Sequence, residues 1–103
     1  MKNTLENAQV RYVIFKENDK WYGAALEVNI VESGNSPEEV LFLLNEAMTG
    51  YFLTARDIAD VGVLNQDIDP EYEAMWNEAS KVPLTPNIFD VGKRNFASAW
   101  AGV

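Results

Sequence analysis

The chain contains no cysteine and no histidine. The first absence removes thiolate nucleophiles and any disulfide framework, the second removes imidazole bases, and together they exclude zinc and haem sites built on those side chains. A chain without cysteine suits a reducing compartment. Positive charge is scarce too: eight lysines and arginines stand against sixteen aspartates and glutamates, for a formal net charge of -8. Such a surface repels phosphate and anionic headgroups, and the only adjacent basic pair, Lys93-Arg94, is too small a footprint for nucleic acid. Long apolar runs are missing as well. No stretch approaches the ~20 apolar residues of a membrane span, and the segment from Met1 to Asn7 lacks the apolar core of a signal peptide, so the expectation is a soluble, cytoplasmic protein. Neither an internal repeat nor a low-complexity linker interrupts the chain.

What remains is one domain's worth of chain, 103 residues with 48% hydrophobic content, enough for a single core. Residues 1 to 8 are polar and expected to be loosely held, with order beginning near Val10. Tyr12-Val13-Ile14-Phe15 and Trp21-Tyr22-Gly23-Ala24-Ala25-Leu26 are rich in β-branched, aromatic and small residues. They flank the charged Lys16-Glu17-Asn18-Asp19-Lys20, which predicts a β-hairpin turning at Asn18-Asp19. Glu27 to Glu32 alternates at Val28, Asn29 and Ile30 and predicts a third strand.

Gly34-Asn35 then turns the chain into a helix start. Ser36 can accept a bond from an early backbone amide, Pro37 suits the first helical position, and Glu39 can close a capping box while Glu38 and Glu39 favour the positive helix end. Val40, Leu43, Leu44, Ala47, Met48 and Tyr51 form one helical face, widened by Leu41, Phe42 and Phe52. Gly50 allows a bend, and the helix is expected to end between Ala55 and Ala59. Ile58 to Leu64 reads as a last turn followed by a short strand. Asp69-Pro70-Glu71 opens a second helix with Tyr72, Met75, Trp76 and Ala79 at helical spacing. Pro83 and Pro86 require an extended stretch over Val82 to Asn87. Ile88 to Val91 and Phe96 to Ala101 are apolar enough to dock on the domain or to reach a neighbour.

The order of two strands, a short third strand, a Gly34-Asn35-Ser36 turn and a Glu38-Glu39-Val40 helix opening resembles the HicB-like antitoxin domain. The likeness spans roughly residues 10 to 55. It implies a β-β-β-α-β fold related to a truncated ribonuclease H fold, and a role in neutralising a small basic ribonuclease toxin, HicA-like, by binding it. The chain differs from many such domains in having neither proline nor cysteine between Glu27 and Glu32, and in lacking an evident ribbon-helix-helix or helix-turn-helix module.

Catalytic readings fare less well. Ribonuclease H-type chemistry needs carboxylates converging on two metals, and the first strand, Arg11 to Lys16, has none. Asp67, Asp69, Glu71 and Glu78 match calcium-loop positions one, three, five and twelve, but Tyr72 replaces the required glycine and Pro70 starts a helix. The tryptophans, tyrosines and phenylalanines lack the interleaved cations of a base-stacking platform and read as core and interface. No Gly-x-Ser-x-Gly elbow is present.

The expectation is therefore an α+β protein, a small antiparallel sheet with one main helix on one face. Residues 1–66 form the core, and 67–103 a C-terminal extension packing on it or on a neighbouring subunit. It would be a binding protein and not an enzyme, without metal or cofactor, meeting a small basic toxin or a second copy of itself. Glu17, Asp19, Glu27 and Glu32 are the candidate partner-binding acids; Gly34, Ser36, Pro37 and Glu39 form the turn and cap. Phe96 and Trp100 are the candidate oligomer contacts.

Overall fold

The computed structural model describes residues 2–81 and 87–97. Four strands form one antiparallel sheet: β1 (Asn7–Glu17), β2 (Lys20–Ala25), β3 (Ile30–Gly34) and β4 (Ile88–Ala97), in the spatial order β3-β2-β1-β4. Two helices, α1 (Pro37–Asp57) and α2 (Pro70–Lys81), lie between β3 and β4 in sequence, separated by a 3₁₀ turn at Val61–Leu64. The α+β class and the antiparallel sheet agree with the sequence reading. Among the described residues no helix is long and apolar enough to cross a membrane.

The predicted hairpin is a two-residue turn. Asn18 and Asp19 both take positive φ, 53° and 63°, and Glu17 faces Lys20 in register. Two left-handed residues match the right-handed twist of the flanking strands, and Asn and Asp tolerate that conformation best among residues with a Cβ. Their side chains therefore stand exposed at the tip.

The third strand starts later than expected. Leu26 to Asn29 form a turn, Asn29 with φ 54°, and pairing begins at Ala25↔Ile30. Val28 is buried within that turn, 4% exposed, so its apolar alternation with Ile30 reported core contact and not strand. The N-terminal segment is also better held than its polarity suggests. The buried Asn3 side chain donates to the Leu64 carbonyl (2.8 Å) and accepts from the Gln9 amide (2.8 Å), which pins it to the 3₁₀ turn. Ordered pairing then starts at Asn7, opposite Ala97.

The start of α1 follows its sequence signature with one change. Ser36 Oγ accepts from the Glu39 amide at 3.1 Å, but the Glu39 carboxylate reaches past the cap to the Asn35 amide, at 2.8 Å. A Cβ on Gly34 would collide with that carboxylate, which explains the glycine. The helix runs through Gly50, which is exposed with open space around it. It ends in a Schellman motif: the Ala59 amide donates to Arg56 and the Asp60 amide to Ala55, both at 3.1 Å. Ala59 takes φ 53° there, a position usually held by glycine. That reversal leads into the 3₁₀ turn where a short strand was expected over Ile58 to Leu64.

The sheet is covered on both faces. Even-numbered residues of β1, Ala8, Val10 and Ile14, meet Val40, Leu44, Met48, Phe52 and Ala55 of α1. Val13 and Phe15 meet Ile68 and Tyr72, Met75 and Trp76 of α2. The segment from residue 67 onward thus supplies the second helical layer and the strand beside β1. The predicted extended stretch falls largely on residues 82–86, outside the described residues.

Gly23 sets how closely α1 approaches. A Cβ there would stand 2.7 Å from Val40 Cγ1, 3.0 Å from Ile14 Cδ1 and 3.2 Å from Leu44 Cδ2. Gly23→Ala should lower stability by about 1–3 kcal/mol through overpacking. In urea unfolding, Val40→Ala should cost less in the Gly23→Ala background than alone, since it vacates the contested space.

Candidate functional site

The sheet and α2 meet in a cleft at the hairpin end of the molecule. Phe15 and Tyr22 face each other in register across β1 and β2 and stack with ring centroids 5.6 Å apart. Tyr72, on the first turns of α2, tilts against Phe15 at 5.9 Å. Glu17 and Glu71 complete the lining of a space of ≈ 190 Å³. α2 begins there because Asp69 Oδ1 accepts from the Glu71 amide at 2.9 Å and its carbonyl from the Glu73 amide at 3.1 Å, with Pro70 following as the first helical residue. Burial raises the Tyr72 pKa above the usual phenol value, and the negative charges of Glu71, Asp69 and Glu17 raise it further. Among the described residues the cleft lining consists of aromatic faces and carboxylates, with Lys20 facing Glu17 at the hairpin beside it. Such a surface attracts positive charge through both carboxylate Coulomb terms and ring quadrupoles.

The four candidate acids do not gather in one place. Glu17 and Asp19 are exposed at the hairpin tip. Glu32 is half-buried in mid-β3, opposite Gly23. Glu27 lies past the other end of β2, in an internal ion pair: its Oε2 meets Arg11 Nε at 2.7 Å, its Oε1 accepts from the Arg11 amide at 2.8 Å, and the two side chains are 17% and 20% exposed. The Glu27 charge already answers one inside the protein. Phe96 is 1% exposed and stacks on Phe52 at 5.0 Å in the α1-side core. Trp100 lies outside the described residues. Gly34, Ser36, Pro37 and Glu39 stand where the turn and cap require them.

Sequence reasoning missed the cluster around Arg11. The guanidinium also bonds Glu73 of α2 at 3.0 Å and lies over the Trp76 ring, 5.3 Å from its centroid. Lys93 approaches the same ring at 5.7 Å, while the Trp76 indole donates to the Gly92 carbonyl at 3.2 Å. Burial works against the Arg11 charge, but hydrogen bonds and Coulombic attraction from Glu27 and Glu73 outweigh it and raise the pKa. The signal was a lone cation inside the apolar Val10 to Phe15 strand, which demands a counterion. The adjacent Lys93-Arg94 pair is split across the sheet: Arg94 points to the α1 side, where its Nη1 donates to Asn45 Oδ1 at 2.8 Å.

Of the calcium-loop candidates, Asp67 accepts through its carbonyl from Asn29 (3.0 Å), Asp69 caps α2 and Glu71 lines the cleft. Among the described residues no three histidine, cysteine or acidic side chains are grouped to hold a metal ion. No protein-family model matches this chain, and no curated protein or solved structure matches it either.

Two outcomes test these assignments. Glu27→Gln keeps the shape but removes the charge facing Arg11, and should cost about 1–3 kcal/mol of unfolding free energy in a denaturant titration. Tyr12 is raised to about 12, first by burial and then by its 3.0 Å bond to Asp90. In an absorbance titration it should ionise well above the usual phenol value of about 10, and Asp90→Asn should bring it down. The fold favours the neutral phenol, so its contribution to stability is complete below the unfolded-state value of about 10 and lost as pH rises through about 12.

Proposed function

We propose that this chain is a HicB-like antitoxin, a non-catalytic inhibitor that captures a small basic ribonuclease toxin. The observation that carries the reading is the acidic, aromatic cleft of Glu17, Glu71, Phe15, Tyr22 and Tyr72, in a protein of net charge -8. Asp19 and Asp69 extend the negative surface at the same end. A lysine or arginine of the toxin seats its stem against the rings and its charge between the carboxylates. Capture then blocks the toxin by occlusion, with no chemistry asked of the antitoxin. Complementary charge also speeds encounter, which suits an inhibitor that must find its target early.

A second reading is a solitary module of the same kind that has no toxin and assembles with itself. The long β4 strand at the border of the sheet favours it.

The deciding experiment is capture from source cells with the tagged chain at low and moderate salt, followed by mass spectrometry. A small basic protein retained near one-to-one and lost as salt rises is expected; recovery of the chain alone, with neighbouring reading frames expressed, favours the solitary module. Glu17→Lys and Glu71→Lys should each weaken toxin binding about tenfold at ~50 mM salt, with the difference shrinking toward ~0.5 M. Equal affinity for wild type and both variants would remove the cleft from the interface.

A further inference from the structure

The sheet has two borders, the five-residue β3 and the ten-residue β4. Among the described residues no strand pairs with the outer side of β4. The direction of its backbone groups follows from β1. The Leu26 amide donates to the Arg11 carbonyl and the Lys16 amide to the Asn87 carbonyl, both at 2.8 Å. Odd residues of β1 therefore bond toward β2 and even residues toward β4. Their β4 partners, Asp90, Gly92 and Arg94 opposite Ile14, Tyr12 and Val10, turn their amides inward. Val91, Lys93 and Asn95 turn theirs outward, a row of donors and acceptors ready for another strand.

Charge says which strand fits. β1 and β4 carry four of the chain's eight basic residues, Arg11, Lys16, Lys93 and Arg94, and two of its sixteen acidic ones. Of these, Arg11 is answered by Glu27 and Glu73 and Lys16 lies at the hairpin end, which leaves Lys93, Arg94 and Asp90 on β4 itself, so the register decides whether like or opposite charges of two copies meet. We propose that the outer edge of β4 pairs antiparallel with β4 of a second copy, about a two-fold axis through Gly92, to form a continuous eight-stranded sheet. In that register Val91 and Lys93 exchange amide-to-carbonyl bonds with Lys93 and Val91 of the second copy. Gly92 faces Gly92 in a non-hydrogen-bonded pair, where strands approach to about 4.5 Å between Cα atoms and the absence of side chains relieves crowding.

Asp90 then lies opposite Arg94 of the second copy, twice, on the α1 side of the sheet. Registers centred on Asp90, Lys93 or Arg94 set like charges opposite each other, which destabilises; one centred on Val91 leaves Asp90 and Arg94 without an opposite charge. The Gly92 register is the one that pairs them. Phe42, 62% exposed, borders the same edge across a groove it shares with Arg94, adding apolar surface for the second copy to cover. The pairing is independent of what the acidic cleft binds.

Sedimentation equilibrium of the full chain tests it. The wild type should be a dimer, and Asp90→Arg and Arg94→Asp should each weaken association at least about tenfold, because each sets like charges opposite across the axis. The double variant D90R/R94D restores both pairs and should recover the affinity. Val91→Pro removes an outward amide at a border position where proline is tolerated, and should give a monomer whose thermal melt by circular dichroism remains cooperative. A wild-type chain that stays monomeric up to about 1 mM overturns the proposal. So does a dimer indifferent to Val91→Pro, or one that the double variant fails to restore while its melt stays cooperative.

Discussion

Burial of β1 on both faces is the constraint from which the rest of the architecture follows. Val13, Ile14 and Phe15 are consecutive and all buried, which a strand achieves only when something covers each side. α1 covers one side through Val40, Leu44, Met48 and Phe52, and α2 covers the other through Tyr72, Met75 and Trp76. With β2 and β4 bonding its two edges, β1 is enclosed in every direction. Arg11, inside that enclosure, is held by a carboxylate from the β2–β3 turn and another from α2. That pairing ties two elements to the strand at a single point, because an unpaired charge there would carry a large desolvation cost.

The two faces also divide the molecule's chemistry. On the α2 side the aromatic packing opens at the hairpin end into a cleft rimmed by Glu17 and Glu71, while further along the same face Arg11 and Lys93 stack on Trp76. Lys16 and Lys20 flank Glu17 and Asp19 at the hairpin end, and β4 at the far border carries Lys93 and Arg94 against Asp90. The antitoxin reading uses the first region and the edge pairing uses the second. Neither surface obstructs the other by sharing a residue.

Local signals were the legible ones. The Asn18-Asp19 turn, the Ser36-Pro37 cap and the Asp69-Pro70 helix start depend on neighbours a few residues apart, and each stands where residue chemistry puts it. Features set by distant contacts were not legible. Glu27 is engaged by Arg11, sixteen positions away, and no local pattern reports an ion pair across a sheet. Phe96 has its strand partner, Ala8, and its stacking partner, Phe52, far off in sequence. Val28 misled in a subtler way: alternation reports burial, and a turn folded onto the core produces it as well as a strand does. Of the cleft, Glu17 was identified, but Glu71 and Tyr72 joined it only through the docking of α2.

The pairing of β1 with β4 has a consequence for how the protein is made. Gln9 and Asn95 touch across 86 positions of sequence, so on the ribosome the central strand emerges first and its second neighbour last. At typical elongation rates, about 5–20 residues per second, the nascent β1 waits several seconds or more with one edge unbonded. During that interval the β1–β2 hairpin and α1 can assemble, since their contacts are short in sequence, while the α2 side of Val13 and Phe15 stays open to water. The vulnerable species is thus a three-stranded, one-helix precursor with one edge of its central strand bare, and completion of the sheet is the step that retires it.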